Sequence, residues 1–208
     1  MFISTKEFHQ EAVRQNIEGS DNKLVSYKSH YYISNVRGRV ISDRYDFISK
    51  FLNGLAVCQK NDKRGIINSD GTIVIPLKYD NCYVDQKAIR ISKNSKWGIA
   101  NIKGRTFIKP TYPFIEAFNK NISRFKSPDG KWGIIDKRGK IILPPIYSYL
   151  GDIKDGKMIA RVNMVYGVID TKKNEIHPFK FRRMNIINGV SVLSDSLIKG
   201  DNEVVKIS

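Results

Sequence analysis

The sequence repeats itself with a period of about 34 residues, and this period limits the possible folds more than any other feature. Two stretches show it most clearly, SKWGIANIKGRTFIKPTY from Ser95 to Tyr112 and GKWGIIDKRGKIILPPIY from Gly130 to Tyr147. The aligned dipeptides recur at nearly equal intervals, and they are Arg64-Gly65, Trp97-Gly98, Trp132-Gly133 and Tyr166-Gly167, with Tyr31-Tyr32 as an earlier copy. Such a period predicts an array of similar units that must stack on one another to bury a core.

Each copy carries the signals of a β-hairpin. An Asx residue follows the dipeptide by three positions, and in four copies a Gly follows the Asx by three more, as Asn101 and Gly104 do. The Asx side chain can cap its own turn and the Gly can adopt a positive φ, which predicts a type I turn closed by a glycine bulge. The Asx residues are Asn35, Asn68, Asn101, Asp136 and Asp170. In the fifth copy we expect one extra residue and a turn that ends at Asn174.

These signals predict an all-β fold of about five three-stranded meander repeats over residues 27–208, with a truncated last unit at 187–208. A Pro follows each hairpin, at Pro76, Pro110, Pro144 and Pro178. Because Pro cannot donate to a sheet ladder, it predicts the end of a strand or an edge position. We expect an open curved array, and a closed propeller-like or barrel-like ring is the alternative.

Residues 1–26 predict a short N-terminal amphipathic helix and a linker. Ser4 and Glu7 form a capping box, and apolar residues such as Ala12, Val13 and Ile17 recur at near-helical spacing. The start of the chain has no apolar core after a basic head, and no run of 18 apolar residues occurs, so we expect neither a signal peptide nor a membrane-spanning helix.

The two central copies resemble the WG-repeat (KWG) family of bacterial β-repeat proteins. The resemblance rests on Lys96-Trp97-Gly98 and on Lys131-Trp132-Gly133 with the stretch IIDKRGKIILPPIY, and it extends over roughly residues 30 to 182. It implies an all-β repeat scaffold with an interaction role, and it brings no catalytic residues. Arg64 and Tyr166 replace the Trp and Tyr32 replaces the Gly, which implies distorted outer repeats.

The basic residues also follow the period. The chain has 36 Lys and Arg against 20 Asp and Glu, a formal net charge of +16. A surplus of this size favours anionic partners. We expect stacked turns to form a basic ridge that binds an acidic protein or a nucleoprotein, although solvated hairpin tips would explain the same pattern. The candidate residues are Arg37, Arg39, Lys96, Lys103, Arg105, Lys131, Arg138, Lys140, Lys173, Arg182 and Arg183.

The aromatic residues fall into two registers, one at Tyr31, Trp97, Trp132 and Tyr166 and the other at Tyr45, Tyr79, Tyr112, Tyr147 and Phe181. Such ladders could stack nucleobases. We expect core packing instead, because a stacked repeat needs large residues at one register and the Gly beside them indicates close backbone approach.

No part of the sequence predicts an enzyme, a cofactor or a metal site. His9, His30 and His177 lack the spacing of metal ligands or of catalytic groups. We expect Cys58 and Cys82 to be buried apolar residues, in a protein of the cytoplasm, which is a reducing compartment. We therefore expect a non-catalytic binding module, an adaptor or an inhibitor, without a membrane partner. The alternatives are direct, sequence-nonspecific RNA or DNA binding and a purely structural scaffold.

Overall fold

The computed structural model describes residues 12–85, 88–187, 190–194 and 205–207, and within them it contains no helix. The N-terminal helix prediction is wrong for the part that these residues cover. Val13–Asn16 is a strand, β1, which pairs with residues 23–26. Of the residues of the expected apolar face that the structure describes, Ile17 is buried whereas Val13 is 56% exposed, because pairing with a neighbouring strand overrides the weak helical spacing. The capping box at Ser4 and Glu7 lies outside the described residues.

The chain divides into two compact units, residues 1–110 and 111–208. Three antiparallel sheets begin in unit 1, and the unit boundary falls within the last strand of the third. The first sheet contains β1, β2 (Lys23–Tyr27) and β3 (His30–Ser34). The second contains β4 (Phe47–Ile48), β5 (Leu55–Lys60), β6 (Lys63–Asn68) and β7 (Ile73–Tyr79). The third contains β8 (Asn81–Val84), β9 (Ile89–Lys93), β10 (Lys96–Ala100) and β11 (Thr106–Tyr112).

Unit 2 contains three further antiparallel sheets. The fourth sheet contains β12 (Phe114–Ile115), β13 (Ile122–Lys126), β14 (Trp132–Asp136) and β15 (Ile141–Tyr147). The fifth contains β16 (Tyr149–Leu150), β17 (Lys157–Val162), β18 (Val165–Asp170) and β19 (Glu175–Phe181). The sixth contains β20 (Arg183–Ile187), β21 (Val190–Ser194) and β22 (Val205–Ile207).

Every sheet is a meander whose strands lie in chain order. The middle four sheets have four strands where the sequence predicted three, because a short strand precedes the expected ones. In three of these sheets the added strand is only two residues long, as in Phe47–Ile48, which pairs with Gln59 and Cys58. Since the strands of the described residues form six separate sheets, they make no closed barrel.

Adjacent sheets within a unit share their apolar cores. One cluster joins Ile33 of the first sheet to Ile48 and Ile67 of the second, and another joins Ile66 of the second to Ile91 of the third. In unit 2, equivalent clusters join the fourth sheet to the fifth and the fifth to the sixth. Each buried Ile or Leu contributes about 1.5–3 kcal/mol. The stacking of units that cannot bury a core alone is therefore as predicted.

The Gly of the repeated dipeptide marks the closest approach of the third and fourth strands of a sheet. A Cβ atom at Gly98 would lie 2.3 Å from the carbonyl oxygen of Ile108, and one at Gly65 would lie 2.4 Å from that of Ile75. The prediction of close backbone approach is thus confirmed. The Pro residues lie on end strands β7, β11, β15 and β19, at edge positions as expected.

The two aromatic registers meet across the same pair of strands. Trp132 lies opposite Tyr147, and Tyr166 lies opposite Phe181. The second register is core, as predicted, at Tyr45, Tyr79, Tyr147 and Phe181, while Tyr112 is half-buried. The first register, Tyr31, Trp97, Trp132 and Tyr166, is also half-buried. In the middle four sheets, the dipeptide and its partner on the fourth strand therefore join the last two strands.

Candidate functional site

The five Asx turns of the repeats share one geometry. In each of them the Asx side-chain oxygen accepts hydrogen bonds from the backbone N–H groups two and four residues later. At the third turn the Asn101 Oδ1 accepts from Lys103 N at 3.0 Å and from Arg105 N at 2.9 Å. The same pair of bonds recurs at Asn35, Asn68, Asp136 and Asp170. Six of the predicted basic residues donate these N–H groups, so their backbone is held in place by the turn.

The fifth turn contains no insertion, so this expectation is corrected. Lys173 occupies the glycine position, with φ of 75° and its N–H donating to the Asp170 carbonyl at 3.2 Å. Tyr166 pairs with Phe181 as Trp132 pairs with Tyr147, so the chain between the paired residues has the same length in both repeats. The sequence predicted an extra residue because Lys173 occupies the position that is Gly in the other four copies. The residues flanking the left-handed position are consequently Lys172 and Asn174.

In unit 1 the second and third turns pack on the preceding repeat. A Cβ at Gly71 would lie 2.5 Å from the Ile41 carbonyl oxygen, and one at Gly104 would lie 2.3 Å from that of Val74. Ile41 and Val74 occupy equivalent positions in successive repeats, as do Gly71 and Gly104, so the contact recurs with the period. Successive turns of this unit are therefore held next to one another along one edge.

The basic side chains at these turns, which we call the tips, are exposed. We call the following residues the tip cations: Arg37, Arg39, Lys103, Arg105, Arg138, Lys140 and Lys173. The ion pairs among the described residues use Lys60, Lys63, Arg90 and Arg124, and none of them involves a tip cation. Arg105 instead places its guanidinium carbon 5.7 Å from the Phe107 ring centre. Among the described residues, no carboxylate lies within ion-pair distance of a tip cation.

Four of the predicted residues lie elsewhere. Lys96 starts β10 and Lys131 precedes β14, so both stand at the opposite end of the third strand from the turns. Arg182 and Arg183 follow Phe181, which pairs with Tyr166 at that same end. A strand of about five residues separates the two ends by about 17 Å. The single predicted ridge is thus two sets, the tip cations and these four motif-end cations.

Other cations pack on the aromatic residues, and the sequence did not reveal them. Lys126 is in register with both Phe114 and Trp132, and its Nζ lies 4.8 Å from the centre of the Trp132 ring. Arg161 takes the equivalent place in the fifth sheet, 5.2 Å from the ring of Tyr166. Finding them required the pairing register, which sequence spacing alone does not fix. These contacts occupy ring surface that a stacked nucleobase would need.

Arg124 is held by an internal network. Its Nε and Nη2 donate to the two carboxylate oxygens of Glu116 at 2.7 and 2.8 Å, and it also pairs with Asp152 at 2.8 Å. Burial lowers the pKa of Arg124, but the bonds to Glu116 and Asp152 outweigh it and raise the pKa above its usual value. This guanidinium therefore serves the fold and stands apart from the tip cations.

Groups with catalytic or ligand chemistry are scattered. Cys58 and Cys82 are free and buried, as predicted, and burial raises the pKa of each thiol to about 12. His30 is exposed and His177 half-buried, while His9 lies outside the described residues. Across residues 12–85 and 88–187 and the shorter segments beyond them, no three His, Cys, Asp or Glu side chains cluster as metal ligands. In the same part of the chain, no helix has the length and apolarity to cross a membrane.

Comparisons with known proteins give one family and several distant structural neighbours. No curated protein matches the sequence. A solved structure described as the eukaryotic initiation factor aligns with a TM-score of 0.45 and 10% identity, over 98% of this chain and 63% of its own length. Hsv2 from Kluyveromyces lactis aligns with a TM-score of 0.40 and 12% identity, over 84% and 68%. The WD40 β-propeller domain of Doa1 aligns with a TM-score of 0.31 and 9% identity, over 83% and 71%.

The family match coincides with the repeats described above. The family described as "WG containing repeat" matches four consecutive segments, residues 33–63, 65–97, 97–132 and 132–164, which together make up more than half of the chain. The chain belongs to the family of WG-repeat proteins.

Proposed function

We propose that this protein is a non-catalytic binding module, an adaptor or an inhibitor, that engages an acidic protein or a nucleoprotein through its tip cations. The observation that carries the proposal is that these exposed side chains stand on capped turns and take no part in the ion pairs of the described residues. A fixed backbone reduces the conformational entropy lost when a partner binds.

The chemistry of the tips suits carboxylates and phosphates. Arg37, Arg39, Arg105 and Arg138 can each form a bidentate bond with either group, while Lys103 and Lys140 supply point charges. The net charge of +16 would also steer an acidic partner and make association fall with ionic strength. Because exposed ion pairs are individually weak, several tips must act together.

Direct binding of RNA or DNA is the second candidate, and the tip cations favour it as much as they favour an acidic protein. The aromatic residues do not add to it. Lys126 already lies over the Trp132 ring and Arg161 over the Tyr166 ring, so stacking platforms for bases would have to be uncovered first. A scaffold without any specific site is the third possibility, and it predicts that charge reversal at the tips changes nothing.

A pull-down from a cytoplasmic extract tests the proposal. We assign the protein to the cytoplasm as part of the same proposal, which the two free, buried cysteines support. The bait is the full chain, with and without nuclease, beside a variant in which Lys103, Arg105, Arg138 and Lys140 are changed to Glu. We expect a stoichiometric protein that survives nuclease and is lost with the variant. Recovery that ends with nuclease would favour the second candidate, and recovery unaffected by the variant would exclude the tips and favour the scaffold or another face of the protein.

A further inference from the structure

Two tips of unit 1 carry exposed aliphatic side chains beside their cations. Val36 is 66% exposed and Ile102 is 46% exposed, and each directly follows the Asn that caps its turn. The other three turns have Ser69, Lys137 and Thr171 at this position and the same capped geometry. The turn therefore does not need an apolar residue there, and folding does not explain Val36 and Ile102.

Further apolar surface lies close to the first tip. Val40 is 43% exposed and lines an open groove of about 630 Å³, together with the half-buried Ile41 and Ile73. Arg39 also lines this groove, so a cation stands beside the apolar surface. The groove has room for a large apolar side chain whose neighbours carry carboxylates.

One acidic side chain also lines the groove. The carboxylate of Asp43 lies 4.0 Å from Lys60 Nζ, a weak pairing of two exposed groups. Leu52, 49% exposed, stands two residues before Gly54, whose carbonyl accepts a hydrogen bond from the Ser69 N–H of the middle tip. Apolar surface thus adjoins all three tips of unit 1.

The charges of these three tips alternate. The first tip has Arg37 and Arg39, the third has Lys103 and Arg105, and the middle one has Asp70. Sheets that share a core face to face are about 10 Å apart, so we expect about 20 Å between the first and third tips. An extended chain rises about 3.3 Å per residue and spans this distance with about six residues.

We propose that the tips of unit 1 bind an extended acidic segment of a partner protein, with two large apolar residues about six positions apart and carboxylates beside each. The inference rests on the proposed function and names the class of partner for its tips. Nucleic acid would satisfy Arg37 and Arg39 but offers no aliphatic side chain to Val36 or Ile102. A second copy of this chain would bring another +16 of charge to the same surface.

Fluorescence anisotropy with labelled synthetic ligands tests the inference on the full chain. The first ligand is an acidic dodecapeptide with two Leu residues six positions apart, the second has Ser at both places, and the third is a uridine dodecanucleotide. The test variant is Val36→Ser with Ile102→Ser, which installs the residue found at Ser69 and so preserves the turn. The control is Met164→Asn, which removes a side chain 74% exposed at the motif end, where φ of 67° suits Asn.

We expect the Leu peptide to bind the wild-type chain about tenfold more tightly than the Ser peptide. The double Ser variant should lose most of this preference, because only the groove at Val40 remains to take an apolar side chain, and Met164→Asn should behave as wild type. Equal binding of the two peptides by the wild-type chain would overturn the inference. If the two peptides bound equally but Arg39→Glu weakened the binding of both, the inference would fail while the proposed function would stand. Binding of the oligonucleotide alone would overturn both.

Discussion

In the middle four sheets, equivalent residues recur at both ends of the third and fourth strands. The motif end has the aromatic–Gly dipeptide, the tip end has the Asx turn, and the two ends differ in what constrains their residues. At the motif end, Trp132 and Gly133 pack against Tyr147 and the backbone of β15, so the Gly is fixed by close approach and the residue before it by packing. At the tip end, the turn fixes only the Asx and the residue with positive φ, and the positions between and after them vary from Arg to Asp. The difference separates residues that specify the fold from residues free to specify a partner.

The largest expected effect comes from the motif glycine. In Gly98→Val the new Cβ would lie 2.3 Å from the Ile108 carbonyl oxygen and 2.7 Å from the Lys109 carbonyl carbon, backbone that cannot move without opening the sheet. We expect a loss of at least about 4 kcal/mol in the free energy of unfolding, or failure to fold. Urea denaturation followed by far-UV circular dichroism measures it.

Gly38→Ala is the matched control for that change. Gly38 stands at the tip end with φ of 79° and with no atom within 4 Å of the position that a Cβ would take, so only backbone strain opposes the substitution. We expect a cost of about 1–2 kcal/mol. If the two substitutions cost the same, the claim that fit controls the motif end would be wrong.

The second effect concerns the motif aromatic. Trp132→Ala removes a half-buried ring that contacts Phe114 at 5.8 Å between centroids and carries Lys126 on its face. We expect a loss of about 3 kcal/mol, near the lower end for large-to-small changes because the ring is not fully buried. Arg64→Ala at the equivalent position should cost less, since Arg64 contributes bonds to Gln59 and Asn81 in place of ring packing. Chemical denaturation of both variants orders the two costs.

The fold followed from the sequence where side-chain chemistry is local. The Asx and Gly residues predicted the first four turns correctly, though not the fifth, and the dipeptide predicted the close approach at Gly65 and Gly98. The strand Phe47–Ile48 was missed because two residues carry no periodicity. The helix predicted through Val13 was wrong because strand pairing decides between two conformations that the local sequence hardly distinguishes.

The candidate site was predictable only in part. The period identified the tip cations, but it placed Lys96 and Lys131 on the same ridge although a whole strand separates them from the turns. The period gives a residue's place in the repeat, but the end of the strand at which that residue lies depends on where each turn begins. The sequence did not predict the contacts of Lys126 with Trp132 and of Arg161 with Tyr166, because they join residues on neighbouring strands whose register the spacing does not give.

A smaller effect is expected from the turn cap. Asn101→Ala removes the acceptor for Lys103 N and Arg105 N while leaving the glycine in place. The two amides are exposed and can bond to water, so we expect a loss of about 1 kcal/mol. A thermal melt reports the loss, and faster amide hydrogen exchange confined to residues 101–105 would show that it is local. A cost as large as that of Trp132→Ala would contradict the division between the two ends.

The smallest effect on stability is expected from the tip cations themselves. Changing Lys103, Arg105, Arg138 and Lys140 to Glu alters exposed groups outside the ion pairs of the described chain, so each change should stay within about 0.5 kcal/mol. Denaturation midpoints of the variant and the wild-type chain measure this. A collapse of the fold would mean that the tips also have a structural task.

The most direct test compares charge reversal at the two ends. One variant carries Glu at Lys103, Arg105, Arg138 and Lys140, and the other carries Glu at Lys96, Lys131, Arg182 and Arg183, so that both undergo the same change in net charge. The measurement is the amount of partner protein recovered by each from nuclease-treated extract. We predict that recovery is lost with the tip variant and retained with the motif-end variant. Equal loss would mean that net charge alone drives association, and loss confined to the motif-end variant would place the partner at the other end of the strands.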